Sequence, residues 1–273
     1  ADEEELAITA DVDLIKDFID LEYYRITTNE HFANSSEAAK HYILNGYCSY
    51  FNPHPLFSTW YYMQNNPDVV EVGVNPFVHY IRFGARELRE PCAVFEHWNR
   101  DPKRQAHRGA RRHTLISYLA LPPRHRPSLV SPVYLKWYIA RNLQLDSRNV
   151  DALLHYLTYG EPNGITFSPA IDIEFYRRTY LSKVPIYAVS VLEHYVLASE
   201  PKPIPFEMFN PDAYLAENPD LQFVDRSYHY VLDGVFEDRK IANLEMFRAL
   251  LNANRQETFA SYPPLEHYVR NRL

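Results

Sequence analysis

Glycine is scarce in this chain: 7 residues of 273. Enzymes that cradle phosphates or dinucleotides depend on glycine-rich loops for close backbone approach, so the composition argues against that class. Cysteine is scarcer still. Cys48 and Cys92 can form neither a disulfide framework nor a four-cysteine zinc site, and a reducing compartment is the simpler expectation. Basic residues are outnumbered, 28 against 35 acidic, for a net charge of −7. A general nucleic-acid binder needs the opposite balance. No apolar run approaches the roughly 18 residues that suggest a membrane span. The opening segment, Ala1 to Asp11, is acidic where a secretory signal is basic. It begins without Met, which suggests a chain processed or cut from something longer. Nucleophile-elbow, P-loop and zinc-hydrolase motifs are missing too. Asp11-Val12-Asp13 has the Asp-x-Asp form of metal-dependent sugar transferases, but no strand pattern surrounds it.

What the chain does hold is tyrosine, phenylalanine and proline: 22, 15 and 20 residues. Hydrophobic residues make up 46%, enough for a substantial core. Many prolines imply many short elements, each started or stopped by one. The tyrosines are not scattered. His-Tyr pairs stand at His41-Tyr42, His79-Tyr80, His155-Tyr156, His194-Tyr195, His229-Tyr230 and His267-Tyr268, and Ser117-Tyr118 fills the one gap. The residue after each tyrosine is aliphatic, from Ile43 to Val269. Five residues after the histidine come Gly46, Gly84, Gly160 and Gly234, with Pro122 and Ser199 in the third and fifth copies. Aromatics also cluster upstream, at Tyr23-Tyr24, Trp60 to Tyr62, Trp98, Trp137-Tyr138, Phe175-Tyr176, Tyr214 and Phe247.

Each copy reads as helix, turn, helix. In the second, a helix through "STWYYMQN" ends at Pro67, because the residue before proline leaves the helical region. Asn75 is an N-cap, Pro76 suits the first helical position, and Gly84 is expected to close the second helix in a left-handed cap. Helices this short cannot stand alone in water, so stacking must hold them. The expected fold is all-α: an α-solenoid-like array of about seven helix-turn-helix repeats, near residues 17–55, 56–93, 94–131, 132–169, 170–207, 208–242 and 243–273.

On a helical wheel the tyrosine and its aliphatic neighbour share the apolar face. Tyr42, Tyr80, Tyr118, Tyr156, Tyr195, Tyr230 and Tyr268 are therefore assigned to the core. The histidines His41, His79, His155, His194, His229 and His267 remain open, between a hydrogen bond to a nearby turn or carbonyl and a solvent-facing row that binds a ligand. A shared metal is excluded. Packed helices lie about 8–10 Å apart, whereas zinc needs each nitrogen at about 2 Å. Parallel rows of identical groups also fail as acid–base catalysts, which need distinct groups converging. No cofactor is implied.

The third copy breaks the pattern with charge. From Arg100 to Arg126 it carries eight basic residues, Arg100, Lys103, Arg104, Arg108, Arg111, Arg112, Arg124 and Arg126, against one acidic residue, Asp101. This is either a solvated face or a docking surface for an anion: an acidic glycan, a phospholipid-linked sugar, a membrane headgroup or an acidic partner. A helical RNA reader is disfavoured, because the units carry no polar code and the balance is acidic.

The marks Phe57, Trp60-Tyr61, Asn66-Pro67-Asp68, Gly73, Asn75-Pro76, His79-Tyr80, Gly84 and Arg86-Glu87 resemble a helical repeat found beside catalytic domains in bacterial cell-surface polysaccharide proteins, especially large glycosyltransferases. Residues 209–234 match well, copies one, four and five in part, and copies three and seven weakly. The resemblance implies a non-catalytic scaffold or interaction module in polysaccharide biosynthesis or glycosylation, in the bacterial cytoplasm or peripheral to the inner membrane. Its partner would be another protein or a covalently attached catalytic domain. A carbohydrate-binding module using aromatic and His faces is one alternative, and an enzyme subunit with an unrecognised active site is another.

Overall fold

A short helix forms only where side chains satisfy its orphan amides, and this chain places such a side chain at nearly every start. The computed structural model describes residues 3–101, 112–141, 151–237 and 239–241. Lys103, Arg104, Arg108, Arg111, His267, Tyr268 and the seventh unit, 243–273, lie outside them. The described chain is all-α, with no strand and one isolated bridge between His54 and Phe57. Among the described residues no helix is long and apolar enough to cross a membrane.

A leading helix α1, Glu3–Ile15, precedes the paired helices. Unit 1 then contributes α2, Leu21–Thr28, and α3, Ser35–Leu44. Unit 2 contributes α4, Thr59–Asn65, α5, Pro67–Val72, and α6, Pro76–His79. Unit 3 has α7, Ala93–Arg100, and α8, Leu115–Leu119; unit 4 has α9, Lys136–Arg141, and α10, Ala152–His155. Unit 5 has α11, Ile173–Tyr180, and α12, Val191–Leu197; unit 6 has α13, Pro211–Glu217, and α14, Arg226–His229.

The caps are explicit. Asn34, Asn75, Asp151 and Asp225 accept from amides in the first turn of the His-Tyr helices, and Thr114 and Ser190 form capping boxes with Ser117 and Glu193. Asp20, Ser58, Asp172 and Asn210 do the same for first helices. α5 and α7 are exceptions: their N-cap residues, Asn66 and Cys92, make no side-chain cap.

In units 2, 4 and 6 the His-Tyr helix does not end where an α-helix would. It continues as a π turn, over Tyr80–Gly84, Tyr156–Gly160 and Tyr230–Gly234. Ala85 and Val235 donate to the carbonyls five residues back, at 2.9 and 3.0 Å. The glycines at these ends are not left-handed. Among the described residues the glycines with positive φ are Gly73, which closes α5, and Gly164. The expected cap at Gly84 is therefore corrected, and its actual cause lies in the tyrosine described below.

Tyrosine rings form the spine of the core. Tyr24, Tyr42, Tyr62, Tyr80, Tyr118, Tyr138, Tyr156, Tyr176, Tyr195, Tyr214 and Tyr230 are all buried. The chain also bonds to itself far beyond neighbouring units. Asn52 donates to the Tyr187 carbonyl at 2.7 Å, Ser58 Oγ to the Ala188 carbonyl at 2.6 Å, and the Val94 amide to Glu193 at 3.2 Å. α7 packs on α12, and α2 packs on the π turn of unit 4. Units 1 to 3 thus meet units 4 and 5 across a polar seam.

Ser58 has two roles here, since its Oγ also accepts from the Tyr61 amide at 3.1 Å. Ser58→Ala loses a cap and a buried cross-seam bond together and should cost about 2 kcal/mol. Asp172→Ala, at the equivalent cap of α11, should cost about 1 kcal/mol. Urea unfolding of the two variants checks the difference; equal losses would show that the seam bond contributes nothing.

Candidate functional site

The polar groups of the repeat are tied to each other. In five units the hydroxyl of a first-helix tyrosine meets the Nδ1 of the histidine in the following His-Tyr pair. The pairs are Tyr24–His41 at 2.8 Å, Tyr62–His79 at 3.0 Å, Tyr138–His155 at 2.7 Å, Tyr176–His194 at 2.9 Å and Tyr214–His229 at 3.0 Å. The expected turn or carbonyl partner is replaced by a side chain of the same unit. Glu30 lies 3.6 Å from His41 Nε2, and Glu237 lies 3.9 Å from His229 Nε2. Carboxylates on that side favour the ring proton on Nε2, which leaves Nδ1 to accept from the tyrosine. Burial lowers the pKa of His79, His155 and His194, aided by Arg89 at His79 and by Lys202 at His194. Burial raises the tyrosine hydroxyls well above their ordinary range. In the Tyr62–His79, Tyr138–His155 and Tyr176–His194 pairs both partners are held neutral, with the proton on tyrosine. Such a pair braces two helices; it is not poised to move a proton.

This pairing explains the glycine. A Cβ on Gly46, Gly84 or Gly234 would fall far inside van der Waals contact with the hydroxyl oxygen of Tyr24, Tyr62 or Tyr214. The hydroxyl reaches its histidine only by passing over a bare backbone. Unit 3 agrees with this coupling by losing all three parts together. Trp98 stands in its first helix and donates to the Ser128 carbonyl at 3.1 Å, Ser117 replaces the histidine, and Pro122 replaces the glycine. Unit 5 keeps Tyr176 and His194 but has Ser199, because α12 stops at Leu197 and takes no π turn.

In units 1 to 3 the tyrosine of the His-Tyr or Ser-Tyr pair looks forward instead, a bond that Tyr156 and Tyr195 do not make. Tyr42 shares a 2.9 Å hydrogen bond with Thr59, Tyr80 accepts from the Leu115 amide at 2.9 Å, and Tyr118 donates to Asp151. Each partner lies in the next unit, two of them at the start of its His-Tyr helix.

Four residues of the basic segment can be placed. Arg100 pairs with Glu96 and Arg112 with Glu90. Arg126 donates to the carbonyls of Leu121 and Leu119 and lies over the Tyr118 ring, 5.4 Å from its centroid. Arg124 is exposed. The structure therefore commits three of the four to internal contacts and does not bring them together as one anion site.

Buried carboxyls, a guanidinium and a thiol converge at the seam. Glu161, Arg177, Glu193, Tyr23, Asn52 and Cys92 line a cavity of about 20 Å³, room for little more than one water. Arg177 pairs with Glu161, whose carboxylate also accepts from the Val191 amide at 2.8 Å. Burial pushes the Glu193 carboxyl up to about 7, and Glu161 adds to the shift. Burial likewise raises the Cys92 thiol well above its ordinary value. Sequence reasoning missed this cluster, because its members come from four different units and their residue types are not repeated from copy to copy; Ser190-x-x-Glu193 was the one legible signal. Among the described residues no group of three His, Cys, Asp or Glu side chains could hold a metal ion. Compared with protein-family models, curated proteins and solved structures, the chain finds no match in any of the three.

Proposed function

We propose that the chain is an α-solenoid-like array of about seven helix-turn-helix units that serves as a non-catalytic scaffold in bacterial polysaccharide biosynthesis or glycosylation. The observation that carries this reading is the use of the repeated polar groups. Five Tyr–His pairs close inside their own units, and the second tyrosines of units 1 to 3 bond to the next unit. A repeat that spends its reactive side chains on stacking offers its surface, not its chemistry. That surface has apolar tips at matching places. Val72, Ile186 and Phe223 are 76%, 70% and 91% exposed, each in the segment joining the two main helices of its unit. The resemblance of the Asn-Pro-Asp and Asn-Pro-x-x-His-Tyr marks to glycosyltransferase-associated repeats supplies the setting.

The test uses the full chain in its source cell. Changing Val72, Ile186 and Phe223 together to Ser should lower surface polysaccharide or glycoprotein output severalfold and leave the melting temperature within about 2 °C, as expected for exposed positions. Unchanged output would remove these tips from the scaffold. Turnover of sugar nucleotides by the purified chain would replace the scaffold with an enzyme subunit. Saturable heat on titration with an acidic polysaccharide would replace it with a carbohydrate-binding module.

A further inference from the structure

The exposed tips at Val72 and Phe223 follow turns of the same composition, Asn66-Pro67-Asp68 and Asn218-Pro219-Asp220. Part of what holds each turn is apolar and local. Val69 and Leu221 are buried, and Asn66 and Asn218 donate to the Tyr62 and Tyr214 carbonyls at 2.7 and 2.9 Å. The rest is one arginine per turn. Arg89 meets both carboxylate oxygens of Asp68, at 2.9 and 2.8 Å, and donates to Asn66 Oδ1 at 2.8 Å. Arg239 meets both oxygens of Asp220, at 3.0 and 2.8 Å.

The arginines are themselves aimed. Each stands five residues after the glycine that closes its π turn, Gly84 or Gly234, and its amide donates to that glycine's carbonyl, at 2.9 and 3.1 Å. Two residues before each arginine a glutamate accepts from its Nε, Glu87 at 2.6 Å and Glu237 at 2.8 Å. Backbone and side chain together direct the fork at the turn. Energy alone is a poor reason for this arrangement, because the Asp68 and Asp220 side chains are 58% and 56% exposed and such ion pairs stabilise little. What a bidentate fork adds is geometry. Unit 5 reaches the same end by another device. The carbonyls of Tyr187 and Ala188, directly after the tip Ile186, accept from Asn52 and Ser58 across the seam. All three exposed tips are therefore anchored, two by arginine and one by the seam.

We propose that Arg89 and Arg239 are positioning residues for the docking surface: through the Asn-Pro-Asp turn, each holds the apolar tip of its unit in one presentation before a partner arrives. This rests on the docking role given above to Val72, Ile186 and Phe223. A contact residue already fixed in its bound position loses less freedom on association, so the clamps act on affinity more than on stability. The partner that gains from fixed tips is a protein with apolar sockets at fixed spacing.

Two readouts separate the clamps from the docking they serve. The first is amide hydrogen exchange on the purified full chain. The Val69 and Gly73 amides bond within the unit 2 segment, and those of Leu221 and Val224 within the unit 6 segment. Arg89→Gln should speed exchange at Val69 and Gly73 by about tenfold or more and leave Leu221 and Val224 unmoved; Arg239→Gln should do the converse. Arg89→Lys should behave like Arg89→Gln, because an ammonium keeps the charge but cannot fork. Unmoved exchange, or a lysine variant that matches the parent, overturns the proposal. Should Arg89→Gln fail to fold, Asp68→Asn removes the charged acceptor from the exposed side and should give the same local acceleration. The second readout is polysaccharide or glycoprotein output in the source cell. Arg89→Gln with Arg239→Gln should lower it severalfold while the melting temperature stays within about 2 °C. If serine at the three tips lowers output and the glutamine pair does not, the clamps do not set the tips for a partner and the proposal is overturned. If serine at the tips leaves output unchanged, the docking reading falls, while faster exchange in the glutamine variants still upholds the clamps.

Discussion

Gly84→Ala should destabilise the protein by about 2–4 kcal/mol, and Tyr62→Phe should rescue most of that loss. Alanine at position 84 meets no backbone objection, since Gly84 is not among the positive-φ glycines. Its methyl would instead overlap the Tyr62 hydroxyl, which is bonded to His79 at 3.0 Å. The tyrosine must withdraw, and a buried hydroxyl and imidazole then lose each other. Tyr62→Phe alone forfeits that bond and should cost about 1–2 kcal/mol. In the Tyr62→Phe background the obstacle is gone. The ring carbon that carried the hydroxyl lies 3.4 Å from the new methyl, an ordinary contact, and the Tyr80 ring at 3.3 Å needs only a slight adjustment. Adding Gly84→Ala there should be close to neutral, because alanine is also the better helix former. The double-mutant cycle, read by urea unfolding, should show a coupling of about 2 kcal/mol or more. Unit 4 provides the control. A Cβ on Gly160 would meet ring atoms, Tyr156 Cδ2 at 2.7 Å and Tyr138 Cε2 at 3.0 Å, so Tyr138→Phe should rescue nothing there. Additive losses in unit 2, or rescue in unit 4, would mean that the glycine answers to something other than the hydroxyl.

The members of this arrangement are all visible in the sequence, but their relation is not. Tyr24, Tyr62 and Tyr138 each precede their histidine by 17 residues, a constant that the His-Tyr period alone does not display. Gly84 misleads for a physical reason: glycine after a short apolar helix usually marks a left-handed stop, whereas a π turn carries this helix one residue further. All-helical character follows from period, prolines and caps. The seam is hard to read in the sequence, because Asn52, Ser58, Glu161 and Glu193 bond across 30 to 135 residues, which no local pattern displays. Charge counting along the chain overstates the basic segment. Glu90 and Glu96, which pair with Arg112 and Arg100, both lie just outside the stretch from Arg100 to Arg126.

A second large effect should appear on acidification, and it resides in His54. This histidine lies in the Asn52-Pro53-His54-Pro55 loop at the edge of the seam and is 5% exposed. Its Nδ1 accepts from the Leu56 amide at 3.0 Å, while its carbonyl accepts from the Phe57 amide at 2.9 Å. A proton added at Nδ1 would point at an N–H that already points back, so protonation breaks the turn. Burial is the main cause that depresses the His54 pKa to about 3, and the charge of Arg126 adds to it. The sign follows. A histidine with a folded pKa below its unfolded value of about 6.5 gives stability that is present above that value and lost as the pH falls. The loss should run from about pH 6.5 to pH 3 and amount to about 4–5 kcal/mol, with smaller contributions in the same direction from His79, His155 and His194. His54→Asn tests the assignment, since the asparagine Oδ1 can accept from the Leu56 amide and does not titrate in this range. The variant should be weaker than the parent at pH 7, because part of the ring is lost, yet flatter between pH 6 and 4 by about 2 kcal/mol or more in urea unfolding. A parallel pH profile for parent and variant would move the acid sensitivity away from His54. Glu193 works in the opposite direction, losing its contribution as the pH rises through about 7. Because the Glu193 loss spans about pH 4.5 to 7 and the His54 gain about pH 3 to 6.5, the two offset each other where they overlap, and the acid loss at His54 stands out most clearly below about pH 4.5.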